Sequence, residues 1–129
     1  MIRVDDLLGV RFTSHGRNKD EGFDCYGLAI EVSRRLGHEL IDLWYRKAAP
    51  ETFAENAEAL IKKMNDRLVA SDSQAEGDLI VFFDGDGNMV HVGVILEEGV
   101  FIHADLGGVM VSEISKYYRK KWSVFKWRQ

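Results

Sequence analysis

Residues 22–37 read Gly-Phe-Asp-Cys-Tyr-Gly-Leu-Ala-Ile-Glu-Val-Ser-Arg-Arg-Leu-Gly. Within them Cys25, Leu28, Ala29, Val32 and Leu36 stand at i, i+3, i+4, i+7 and i+11, the spacing of one buried helical face. Asp24 has the chemistry of a helix N-cap, and Gly37 supplies a left-handed C-terminal cap, so a helix is predicted over residues 25–36. The single cysteine of the chain thereby falls in the first helical turn.

On the N-terminal side, residues 1–23 alternate poorly and carry Gly9, Gly16 and Gly22 among polar residues, which reads as irregular chain with turns. On the C-terminal side, Trp44, Tyr45 and Pro50 lead into a second predicted helix. Its apolar positions are Phe53, Ala57, Leu60, Ile61, Met64 and Leu68, with Glu51, Glu55 and Glu58 near its start and Lys62, Lys63 and Arg67 near its end, as the helix dipole favours. From Gly77 onward the pattern changes to short β-rich segments: 78–83, 89–96, 100–104, 109–114 and 122–127. The Asp84-Gly85-Asp86-Gly87-Asn88 stretch lacks the bidentate acid and helical flanks of a calcium loop and reads as a hairpin turn. The expected fold class is α+β, one domain over residues 1–129, with N-terminal helices packed on an antiparallel meander.

Composition narrows the function. With 129 residues, 46% of them hydrophobic, the chain is long enough for one core. Its 17 basic against 21 acidic side chains give no basic stripe for phosphates; Arg119, Lys120 and Lys121, interleaved with Tyr117, Tyr118 and Trp122, fit the solvated face of a terminal strand. Nucleic acid is not an expected partner. Apolar runs such as Leu79 to Phe83 are far below the roughly 20 residues that cross a bilayer, so no membrane is expected either. The acids Asp5 and Asp6 stand where a signal peptide would be apolar, so synthesis in the cytoplasm without export is expected. A lone cysteine leaves no internal disulfide to form.

Cysteine is often a small buried hydrophobe, but at a helix start the unsatisfied N–H groups and the dipole favour a thiolate, and the same donors suit an oxyanion. Cys25 is therefore a candidate nucleophile, expected to alkylate readily near neutral pH. Of His15, His38, His91 and His103, the last two lie in predicted strands separated by Glu97-Glu98-Gly99. A three-residue loop ending in left-handed glycine pairs Leu96 with Val100, which puts Gly93 opposite His103 and His91 opposite Asp105. Both imidazoles then share one sheet face as diagonal neighbours, roughly 7 to 8 Å apart at the backbone. Each histidine alone also fits a hydrogen-bonded strand residue. A cysteine and two histidines are zinc-ligand types as well, but no short paired spacing and no His-Glu-x-x-His helix accompanies them.

Three segments carry a resemblance to a known family: Gly22-Phe23-Asp24-Cys25-Tyr26-Gly27-Leu28; Glu76-Gly77-Asp78-Leu79-Ile80-Val81-Phe82; and His91-Val92-Gly93-Val94 followed by Phe101-Ile102-His103-Ala104. In that order they resemble the nucleophile box, the Gly-Asp-Leu strand and the two-histidine hairpin of the NlpC-type cell-wall cysteine peptidases. The resemblance implies a papain-like α+β core, Cys25 as nucleophile, His91 as general base and His103 as the residue that orients it. It further implies hydrolysis of an amide in peptidoglycan stem peptides, typically between γ-D-glutamate and a diamino acid, with no metal or organic cofactor. Phe12 stands nearest to the place where many relatives carry an active-site tyrosine; with Asp24, Tyr26 and Gly93 it is a substrate-binding candidate. The wording around Cys25 looks most like phage and prophage members, which implies association with tail proteins and the virion. Two alternatives keep the same fold: a non-catalytic phage tail assembly protein and a cytosolic acyl-transfer amidase.

Overall fold

The computed structural model describes residues 2–42, 67–86, 89–117 and 121–128. Its helix α1 spans Cys25–Arg35 and buries Tyr26, Leu28, Ala29 and Val32. Arg34 and Arg35 sit in its last turn, where the dipole favours cations. The helix closes as the sequence suggests: Gly37 adopts φ +84°, its N–H donates to the Arg34 carbonyl at 3.0 Å, and that of His38 to Ser33 at 2.9 Å. These are the paired bonds of a Schellman cap. Arg35 also donates to both carboxylate oxygens of Asp6 at 2.7 Å, tying the N-terminal segment to the helix.

Before α1, β1 (Arg17–Asn18) and β2 (Gly22–Phe23) form a two-stranded ribbon. After it come β3 (Leu68–Ser71), β4 (Leu79–Phe83), β5 (Met89–Glu97), β6 (Val100–Asp105), β7 (Gly108–Glu113) and β8 (Lys121–Trp127). These make one six-stranded antiparallel sheet in the order β3-β8-β4-β5-β6-β7. The expected meander holds from β4 to β7. The last strand departs from it, because β8 returns to lie between β3 and β4 and seats Val124 opposite Ile80.

Leu68 also departs from expectation. It opens β3, paired with Trp127, and does not end a helix. The rest of the second predicted helix, with Trp44, Tyr45 and Pro50, lies outside the described residues.

The continuous apolar run of β4 follows from cover on both faces. Leu79 and Val81 join Val92, Val94, Ile102 and Ala104 beneath α1, whereas Ile80 and Phe82 meet Ile95, Phe101, Val124 and Ile114 on the opposite face. A short 3-10 helix, Ile114–Tyr117, caps that second cluster. Among the described residues, no helix is long and apolar enough to cross a membrane.

Candidate active site

Cys25 opens α1 because Asp24 leaves the ribbon in extended conformation and takes over orphan donors of the helix. Asp24 Oδ1 accepts from the Gly27 N–H at 2.7 Å and from Arg17 Nη1 at 2.9 Å, while Oδ2 accepts from the His15 N–H at 3.0 Å. One carboxylate, 1% exposed, thus binds the 15–17 loop to the start of the helix. His15 holds φ +63°, unusual for a residue with a β-carbon, and its bond to Asp24 helps offset that conformation.

The hairpin of β5 and β6 supplies the two histidines. Val94 pairs with Ile102 and Ile95 with Phe101, the register expected from the sequence. The turn is tighter than expected: Glu97 pairs with Val100 and the ladder shifts between Ile95 and Glu97, so the extra residue is taken up as a bulge. Because this shift lies at the turn, it leaves the facing of the histidines intact. His91 Nε2 lies 2.8 Å from His103 Nδ1, with the ring planes at 81°. Gly93 permits the approach, since a Cβ there would stand 2.7 Å from Phe101 Cδ2 and 2.9 Å from the Ile102 carbonyl oxygen.

His103 is fully buried. Its Nε2 lies 2.8 Å from Ser112 Oγ and 3.5 Å from the Tyr117 hydroxyl, and Phe82, Phe101 and Tyr117 surround the pair. Burial lowers its pKa from 6.5 to about 4, the nearby Asp105 opposing, so the ring is neutral at physiological pH. Neither Ser112 nor Tyr117 was evident from the sequence. The signal for Ser112 was the two-residue Leu106-Gly107 turn, which pairs His103 with Met110 and so sets Ser112 on the same face one diagonal away.

The imidazoles stand on the Phe82 and Phe101 face, whereas Cys25 packs with the cluster beneath α1. Strand β5 carries residues of both halves, His91 on one face and Val92 on the other. Among the described residues the β5–β6 ladder begins at Val94–Ile102, and nearer the start of β5 the Val92 N–H, one residue after His91, donates to the Cys25 sulfur together with the Tyr26 N–H.

Those two donors favour a thiolate, but they do not prevail. Desolvation by burial, followed by the negative charge of Asp24 and the weaker influence of Asp105, pushes the Cys25 thiol up to about 12. The expectation of a resting thiolate is therefore corrected. The helix-start donors are outweighed because the thiol is half-buried beside a carboxylate.

The substrate-side candidates are placed as follows. Phe12 is half-buried against the core and bridges Phe23. Asp24 is the cap described above. Tyr26 is 3% exposed and donates its hydroxyl to the Ile41 carbonyl, which makes it a core residue and not a groove wall. Gly93 is buried between strands. Among the described residues, no group of three or more His, Cys, Asp or Glu side chains is gathered to hold a metal ion.

The sequence profile of the NlpC/P60 family matches residues 9–128. Among solved structures, the chain is similar to the crystal structure of the NlpC/p60 domain of the peptidoglycan hydrolase SagA. The TM-score is 0.57 at 21% identity, covering 92% of this chain and 88% of that one. The fold is thus the papain-like arrangement of a helix packed on an antiparallel sheet. No curated protein matches the chain.

Proposed function

The chain belongs to the NlpC/P60 family, and from that premise we propose that it is a cysteine peptidase or amidase that cleaves peptidoglycan stem peptides. The observation that carries this reading is the His91 Nε2–His103 Nδ1 pair at 2.8 Å, on the strand whose next residue, Val92, donates its N–H to the Cys25 sulfur.

Since the resting thiol is protonated, nucleophilic attack requires a base. Cys25 Sγ bonds to the amide carbonyl carbon while its proton passes to the His91 ring nitrogen that does not face His103. The resulting imidazolium returns the proton to the leaving amine as the C–N bond breaks. Water, deprotonated by His91, then releases the acid from the thioester and restores the thiol. His103, neutral and buried, orients His91 throughout.

The bond we assign is that between γ-D-glutamate and the diamino acid, and the setting a phage or prophage tail, on the likeness of the Gly22–Leu28 wording to those members of the family. A synthetic stem peptide containing L-alanyl-γ-D-glutamyl-diamino acid tests the bond. Chromatography should show release of a fragment whose new amine belongs to the diamino acid, and cleavage elsewhere would reject the assignment.

A non-catalytic tail protein of the same fold is the second reading, favoured by the raised thiol pKa. It predicts no product from any stem peptide.

A further inference from the structure

We propose that Ser112 is a positioning residue that selects the tautomer of His103 and, through it, the nitrogen with which His91 accepts a proton. This rests on the assignment of His91 as base.

A neutral imidazole has one N–H and one lone pair, so the two buried rings admit two hydrogen-bond directions. In the first, His103 Nε2–H donates to Ser112 Oγ at 2.8 Å, and His103 Nδ1 accepts from His91 Nε2–H at 2.8 Å. The lone pair of His91 is then on Nδ1, where it can take the thiol proton. In the second, every bond reverses. His103 Nδ1–H donates to His91 Nε2, which puts the His91 proton on Nδ1 and closes that nitrogen to the reaction. Geometry permits both, and the group at the far nitrogen of His103 decides between them.

Two hydroxyls meet that nitrogen. Ser112 lies at full hydrogen-bond distance, while Tyr117 at 3.5 Å lies at the outer limit. Ser112 is half-buried, so its own proton has access to water and its oxygen is left to accept. A phenol is more acidic than an aliphatic alcohol, hence the better donor and the poorer acceptor. Tyr117 therefore pulls toward the second direction, and Ser112 holds the first. Phe82, Phe101 and Tyr117 pack against these rings, and Ser112 Oγ is the nearest acceptor to His103 Nε2 among the described residues.

Threonine and valine at position 112 differ essentially by a hydroxyl against a methyl, and both suit a strand. The test compares the full-length protein with Ser112→Thr, Ser112→Val and Ser112→Ala by long-range 1H–15N NMR of the imidazoles at pH 7, which reads tautomers without substrate. Wild type and Ser112→Thr should show both histidines protonated on Nε2. Ser112→Val and Ser112→Ala should move both rings toward the Nδ1–H form. On a cleaved stem peptide, kcat should fall at least tenfold in the valine variant with KM little changed, and threonine should rescue it. Unchanged tautomers in Ser112→Val, or equal kcat for threonine and valine, would overturn the proposal. Should wild type cleave no stem peptide, the peptidase reading fails, while the NMR comparison still decides whether Ser112 sets the tautomer.

Discussion

His91 and His103 face each other across the β5–β6 hairpin with Nε2 and Nδ1 2.8 Å apart, yet their surroundings are unequal. His91 is half-buried beside the residue that meets the Cys25 sulfur, and His103 is fully enclosed. In the proposed mechanism the inner ring holds and the outer ring reacts.

Substitution should expose that division. His91→Ala is expected to abolish turnover. His103→Asn or His103→Gln should keep measurable activity because an amide can still accept from His91, whereas His103→Ala should lose more. The comparison is made as kcat/KM on one stem peptide. Activity in His91→Ala together with inactivity of every His103 variant would reverse the two roles.

Burial of His103 as a neutral ring couples stability to pH. Its folded pKa, about 4, is below the ordinary 6.5, so the unfolded chain binds the proton more readily between those values. This contribution is present above pH 6.5 and lost as pH falls toward 4, up to about 3 kcal/mol in all. Denaturant titrations across this window should show a shallower slope for His103→Gln than for wild type. Equal slopes would place the pH dependence elsewhere.

The raised thiol pKa sets the reactivity of the resting protein. With Cys25 pushed up to about 12, the thiolate fraction at neutral pH is small. Iodoacetamide labelling of native protein should be slower at pH 7 than that of the unfolded chain, and should rise about tenfold per pH unit while the fold persists. A plateau reached below pH 8 would show a low-pKa thiolate.

Asp24 links stability and reactivity in a single side chain. Asp24→Ala removes the acceptor of the Gly27, His15 and Arg17 donors and should cost about 2 kcal/mol or more in unfolding free energy. Asp24→Asn can retain an oxygen for the cap but removes the charge that raises the thiol, so its Cys25 should alkylate faster than wild type at pH 7. Slower labelling would show that Asp24 acts on the thiol by position alone.

Gly93 is expected to tolerate no side chain. The Cβ of Gly93→Ala would meet the Ile102 carbonyl, which belongs to the backbone and gives way only if β5 and β6 separate. A loss of about 1–3 kcal/mol is expected from such overpacking. Activity should fall with it, because the same separation moves His91 from His103; wild-type activity in this variant would show that the spacing of the rings is not set here.

The elements nearest the reactive residues were the most legible in the sequence. The period of Cys25, Leu28, Ala29 and Val32, with caps at Asp24 and Gly37, specifies α1 locally, and Glu97-Glu98-Gly99 fixes the hairpin register even though the turn itself closes one residue differently. What escaped depends on contacts distant in sequence. Nothing within residues 121–127 tells that strand to leave β7 and pair with β3 and β4. Leu68 fits a helical period as well as a strand, and only its pairing with Trp127 distinguishes them. Helix position alone favoured a thiolate at Cys25, whereas the opposing burial and the charge of Asp24 emerge only when the helix start is packed against β5. Ser112 becomes part of the site through β7, a strand with no apparent chemistry of its own.

The most direct measurement of the central claim is mass analysis of purified peptidoglycan after incubation with wild-type protein and with Cys25→Ala, the two matched for thermal transition. Wild type alone should release new stem-peptide fragments whose masses together exceed that of the parent by one water. Identical fragments from both proteins, or none from either, would contradict the claim.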